Sequence, residues 1–424
     1  MVKRWFSSLY YTIWRQNLMR SGMLTGLLLL LAVLGLAVAY QQHRQGNIHK
    51  LKEKMSTEHH EAPVPRPGGR EAIMLRRTRS MQDSAPEFLS ATLLPGRGMN
   101  VLQITAFVPG KGEVSLLASP TVEEAEKILT KSGTDVNGQA SLTMGGAFEA
   151  PWAGRIWGAP TDDHVAAQWR AHTVTLPKSD NGGNTAIGGL LLSRQATSAG
   201  STALPDGGQA QATFDAEDFG THWPSQTQIS VTVLLSSRSM ELTITAKNTG
   251  DVAEPIGLGW HPQFKIAKEN RAKVRLRIPA AMRVEMRDHN KGLPSGTLLP
   301  VSGTPYDFTA REGTKLGTLD LDDCFGALHQ SLLDSGPVAE LSDPAGGYGI
   351  RLTALSSAIK AMHVLAPADA DFVSIEPRFN YPDPLGREWA NTPDNGVVVL
   401  QPGQTTRWQV RMELFSPEER VAGF

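Results

Sequence analysis

Apolar residues fall at every second position through much of the chain after residue 100. Segments 101–108 (VLQITAFV), 229–235 (ISVTVLL), 240–246 (MELTITA), 273–278 (KVRLRI), 397–400 (VVVL) and 406–414 (TRWQVRMEL) are also rich in β-branched residues. A period of two belongs to strands with one buried face. Residues 236–239 (SSRS) separate two of these strands at hairpin length. Only 121–130 (TVEEAEKILT) has helical spacing, with Val122, Ala125 and Ile128 on one face behind an acidic first turn. No tandem period recurs, which argues against propellers and solenoids. The pattern predicts an all-β body, an antiparallel sandwich or barrel spanning most of 85–424.

The N-terminus reads differently. Residues 23–40 (MLTGLLLLLAVLGLAVAY) carry no charge and are just long enough to cross a hydrocarbon core of about 30 Å. Lys3, Arg4, Arg15 and Arg20 precede them and favour a cytoplasmic leader over residues 1–22. Arg44, Lys50, Lys52 and Lys54 follow and weaken that orientation. Two readings stay open: a retained transmembrane anchor, or a secretory signal cleaved near Ala37-Val38-Ala39. The long leader favours the anchor. Either one takes the rest of the chain across the membrane, anchored in the inner membrane with its domain in the periplasm or secreted there. Residues 41–84 turn polar and charged and include 62–69 (APVPRPGG), the composition of a linker. His59-His60 sits in that linker with no further ligand at useful spacing.

Composition narrows the function classes. The 41 Lys and Arg against 42 Asp and Glu give a net charge of -1, so no bulk attraction to nucleic acid follows. Cys324 is the single cysteine, which excludes an internal disulfide and any cysteine-built zinc or iron–sulfur centre.

Four polar sites stand in apolar or turn-rich settings. His261 lies in GLGWHPQF (257–264), Glu376 in FVSIEP (372–377), Asp322 and Asp323 in LDDCF (321–325), and Arg155 in APWAGRIW (150–157). A carboxylate and an imidazole on apolar strands are the minimum for general acid–base catalysis. Trp260, Trp152 and Trp157 would add flat faces on which sugar rings stack. Each site also has a structural reading: a core histidine, a strand-end glutamate, a solvated acidic turn, and Arg155 paired with Glu149.

Taken together these segments resemble the aldose 1-epimerase (galactose mutarotase-like) family. Residues 248–250 and 255–264 are similar to its catalytic-histidine segment, 321–325 to its substrate-binding aspartate segment, and 372–377 with 396–404 to its catalytic glutamate and final strands. Residues 151–156 are similar to the segment with a sugar-contacting arginine. The resemblance covers roughly 93–414. It implies a large distorted antiparallel β-sandwich with an open sugar cleft, preceded here by one membrane-directed helix.

By position, the resemblance makes Glu376 the general base and His261 the general acid, with Asp322, Arg155 and Trp260 on the sugar. It implies a monosaccharide or glycan partner, no metal and no cofactor. One departure is Gly188, which stands where the family carries a second cleft histidine; Gln263 replaces a commonly aromatic residue. That departure, together with the tether, motivates an alternative: a non-catalytic carbohydrate-binding subunit of an envelope polysaccharide system.

Overall fold

The alternating segments pair into two large antiparallel sheets. The computed structural model describes residues 26–50, 52, 64–80, 85–131, 137–179, 183–392 and 394–417. The chain divides into two units, Met1–Val64 and Pro65–Phe424.

In the first unit, Gly26–Lys50 is one helix, long and apolar enough to cross a membrane. It continues past Tyr40, where the linker was expected to begin; Gln41, Gln42, Arg44 and Gln45 are good helix formers and 41–50 holds no proline, though Gly46 is unfavourable. Residues 1–25 and the His59-His60 pair lie outside the described residues.

The second unit begins at Pro65, earlier than the boundary expected near 85. The Pro- and Gly-rich stretch is a short 3-10 turn, Pro67–Gly69, and not a free tether. Ile73–Arg76 then pairs in antiparallel register with Glu87–Leu94 and becomes the edge of the larger sheet. The polar composition of 65–76 suits an edge strand as well as it suits a linker.

The larger sheet has twelve strands and the second has nine. Ile229, Val231, Ile244 and Trp408 from the nine-stranded sheet share one core with Phe88, Ile104, Val373 and Ile375 from the other. The indole Nε1 of Trp408 donates to the Pro377 carbonyl at 3.0 Å and ties the two sheets together beside Glu376. The expected sandwich is therefore present.

The hairpin at Ser236–Ser239 is present as well, closed by the Ser236 N–H to the Ser239 carbonyl at 2.9 Å. The expected helix spans Val122–Lys131. Thr121 and Glu124 cap it reciprocally: the Glu124 N–H donates to Thr121 Oγ1 and the Thr121 N–H to Glu124 Oε2. Its buried face uses Ala125 and Leu129, while Ile128 is exposed.

Candidate active site

Strand alternation builds the site. Five neighbouring strands of the larger sheet are Gly146–Glu149, Gly259–Pro262, Phe372–Arg378, Ala361–Ala366 and Leu321–Leu328. Their register sets Gly259 opposite Glu149 and Arg378, Glu376 opposite His363, and His363 opposite Cys324. Residues directly opposite, and residues two apart, share a face. Glu149, His261, Glu376, Arg378, His363, Cys324 and Asp322 therefore project to the side away from Val373 and Ile375, and all line one cavity.

At the floor, His261 Nδ1 donates to Glu376 Oε1 at 2.9 Å. Ser374 Oγ donates to the same oxygen at 3.0 Å, and Arg378 Nη2 donates to Oε2. Arg378 Nε faces Glu149 Oε2 at 3.4 Å, and Glu149 Oε1 accepts the Gly154 N–H at 3.0 Å. Gly259 leaves the room for this crossing. A Cβ there would stand 2.8 Å from Ala153 Cβ, 3.0 Å from Glu149 Oε2 and 3.1 Å from Arg378 Cγ.

The Glu376 side chain is wholly buried, while that of His261 is 12 % exposed. Burial alone would raise the Glu376 carboxyl, but the charges of Arg378 and His261 hold it well below the usual carboxylate range. Burial also opposes charge on His261, yet the charge and hydrogen bond of Glu376 carry the imidazole above its ordinary value. Both shifts favour imidazolium beside carboxylate.

Towards the mouth, Asp322 is held on both oxygens. Oδ1 accepts from His363 Nε2 at 2.9 Å and Oδ2 from Arg155 Nη1 at 3.1 Å. Burial works against its ionisation, but His363 and Arg155 keep it well below the usual range. Cys324 stays a thiol, pushed up to about 12 by burial. Arg155 is itself anchored through Asp383, whose N–H donates to the Arg155 carbonyl at 2.8 Å and whose Oδ1 accepts the Trp157 N–H at 2.8 Å.

Four of the five residues expected from sequence meet here: Glu376, His261, Asp322 and Arg155. Trp260 does not. It precedes His261 on the strand and so points to the opposite face, is fully buried against Phe148 and Phe264, and donates to the Gly146 carbonyl at 3.0 Å. It cannot offer a face to sugar. Trp152 is buried against Trp223, and Trp157 does not line the cavity. Arg155 pairs with Asp322, not with Glu149. Asp323 points to the opposite side and pairs with Arg283 at 2.6 Å.

Among the described residues, no imidazole fills the space beside Gly188. A Cβ there would meet Leu192 Cδ1 at 2.7 Å and Leu142 Cδ1 at 2.9 Å. The second cleft imidazole is His363, which the sequence hides in an apolar strand (AMHVLA). Glu149 and Arg378 were missed too. Arg378 had a visible signal, since it stands two residues after Glu376 on the same strand. Gln263 donates to the Leu142 carbonyl at 3.1 Å and so holds part of the cavity wall.

A family model described as aldose 1-epimerase matches residues 116–413. No curated protein matches the sequence. Among solved structures, a galactose mutarotase-like protein from Clostridium acetobutylicum is similar at 16% identity with a TM-score of 0.63, covering 81% of this chain and 98% of that one. An aldose epimerase homologue from C. elegans is similar at 17% identity and TM-score 0.61, covering 81% and 98%. A galactose 1-epimerase from Lactobacillus acidophilus gives 15% identity and TM-score 0.57, covering 82% and 99%. At these identities the structures speak for the fold.

Proposed function

The chain belongs to the aldose 1-epimerase family, and we propose that its cleft exchanges the α and β anomers of an aldose by acid–base ring opening. The observation that carries this reading is the His261–Glu376 contact, an imidazole nitrogen and a carboxylate oxygen 2.9 Å apart in one cavity. The two groups touch, so a sugar does not find them already standing on opposite edges of its ring. The anomeric hydroxyl takes the place of His261 Nδ1 at Glu376 Oε1, and the imidazolium turns its proton to the ring oxygen. Glu376 accepts the O1 proton while the C1–O5 bond breaks, O5 takes the proton from His261, and C1 becomes a carbonyl. Rotation about C1–C2 and closure from the other face return both protons.

Discharge of His261 removes a charge that depresses Glu376, so the base strengthens as the acid gives up its proton. Each positioned proton-transfer group contributes typically about 10²–10⁴-fold. Asp322 and Arg155 hold sugar hydroxyls at the mouth.

The wholly buried, fully partnered Glu376 favours one second reading, a carbohydrate-binding body without turnover. Polarimetry of freshly dissolved α-galactose and α-glucose with the full chain in detergent separates the two. Decay faster than in buffer is expected; decay at the buffer rate with sugar bound supports the second reading and ends the first.

We propose that the helix at Gly26–Lys50 is a retained inner-membrane anchor with the body in the periplasm. The long leader before the apolar run supports the anchor over a cleaved signal, for which secretion to the periplasm would follow. An intact N-terminus in the membrane fraction is the expected result. A chain beginning just after Ala39 in the soluble fraction would overturn it.

A further inference from the structure

We infer that His363 is a positioning residue that fixes the orientation of Asp322 for the sugar, an assignment that rests on the epimerase reading above. A carboxylate free to rotate about its terminal torsion presents its oxygens in a broad range of directions. Asp322 is denied that freedom by two donors on opposite oxygens, His363 Nε2 at 2.9 Å and Arg155 Nη1 at 3.1 Å.

The two donors differ in kind. Arg155 comes from the short strand Arg155–Trp157 outside the main sheet, and its side chain is one-third exposed. His363 sits in mid-sheet between Cys324 and Glu376, and its side chain is 10 % exposed. The imidazole is thus the rigid half of the clamp. A side chain on the sheet floor holds Asp322 while Arg155 remains the half that a ligand can displace.

The other ring nitrogen defines the chemistry. Nδ1 of His363 is buried without a hydrogen-bond partner, so the ring acts on its surroundings through Nε2 alone. Nε2 lies 2.9 Å from Asp322 Oδ1, so the proton it carries is the one donated to the carboxylate. His363 also faces Glu376 across the strand pair, and its charge state is felt there.

Two amide substitutions distinguish this role from mere packing. In His363→Gln the side-chain amide reaches the Nε2 position and still donates to Asp322. In His363→Asn it reaches only the Nδ1 position, which has no partner. Loss of a hydrogen bond to a charged group corresponds to about tenfold in binding or more. The expected result, on the full chain in detergent, is a KM for galactose near the parent in His363→Gln and about tenfold higher in His363→Asn, with kcat changed far less. Near-UV circular dichroism checks that both fold.

Equal KM values for two folded variants overturn the inference, and so does a loss confined to kcat. If the parent itself shows no mutarotation, the epimerase reading fails by itself, and the same comparison is read as the calorimetric Kd for galactose. Side-chain nitrogen NMR of the parent gives a sugar-independent check. An Nε2-protonated His363 is expected, and a ring protonated on Nδ1 alone overturns the assignment.

Discussion

His363 and Glu376 stand directly opposite one another on adjacent antiparallel strands, yet they serve different partners. His363 turns to Asp322 at 2.9 Å, while Glu376 turns to His261 at 2.9 Å. One strand pair thus divides the cavity between two clusters, Asp322 with its two donors and Glu376 with His261. The separation follows from the sheet itself, since each of the five strands delivers its side chains at a fixed spacing.

The rate should report the two ionisations of the proton-transfer pair. Glu376 lies below, and His261 above, its ordinary value. Activity needs the carboxylate ionised and the imidazole charged. On the acid side the rate is expected to persist below the ordinary glutamate pKa of about 4.3, and on the alkaline side to fall only above the ordinary imidazole value of about 6.5. The same pair adds stability fully present between those two values. It is lost as pH falls through the folded Glu376 pKa or rises through that of His261. A kcat/KM profile that climbs steadily from pH 6 to pH 8 contradicts this assignment.

Asp383 carries an opposite linkage. Burial, with nearby Glu388, raises its carboxyl to about 8 against the pull of the Trp157 N–H. A folded value above the unfolded value of about 3.9 means its contribution is fully present below the latter and is lost as pH rises towards about 8. Asp383→Asn keeps an acceptor for Trp157 and removes the proton demand. Thermal melts at pH 5 and pH 8 are expected to show the parent losing several degrees more than the variant between them. Parallel losses in the two proteins would count against a protonated Asp383.

Gly292 packs against Arg155. It has a φ of +64°, and a Cβ there would lie 2.6 Å from Arg155 Nη1 and 2.9 Å from Arg155 Cδ. Gly292→Ala is expected to displace Arg155 from Asp322 and to raise KM for the sugar several-fold, with kcat closer to the parent. The left-handed backbone adds roughly 1–2 kcal/mol of strain for a residue with a side chain. An unchanged KM in a folded variant would show that Arg155 does not hold substrate.

Much of this arrangement was legible in the sequence because the period of two is a local property. It placed the strands, the sandwich and the apolar settings of His261 and Glu376. The same period already sets Trp260 and His261 on opposite faces, so the stacking role given to Trp260 conflicted with the strand pattern. What local pattern cannot carry is register. His363 looks like an ordinary core position in AMHVLA until Ala361–Ala366 is laid between the Asp322 and Glu376 strands. Glu149 likewise gains its meaning only from Gly259 and Arg378 beside it. The start of the body was hidden for a related reason: Pro67–Gly69 and Ile73–Arg76 look like linker until a partner strand and a close-packed turn are supplied.

The most direct measurement is the polarimetric rate of the full chain and its Glu376→Gln variant on freshly dissolved α-galactose. Glutamine keeps the shape and removes the proton acceptor, so the rate above buffer is expected to fall by roughly 10²–10⁴-fold while sugar still binds. A folded variant that mutarotates as fast as the parent would show that the His261–Glu376 pair does not carry the chemistry.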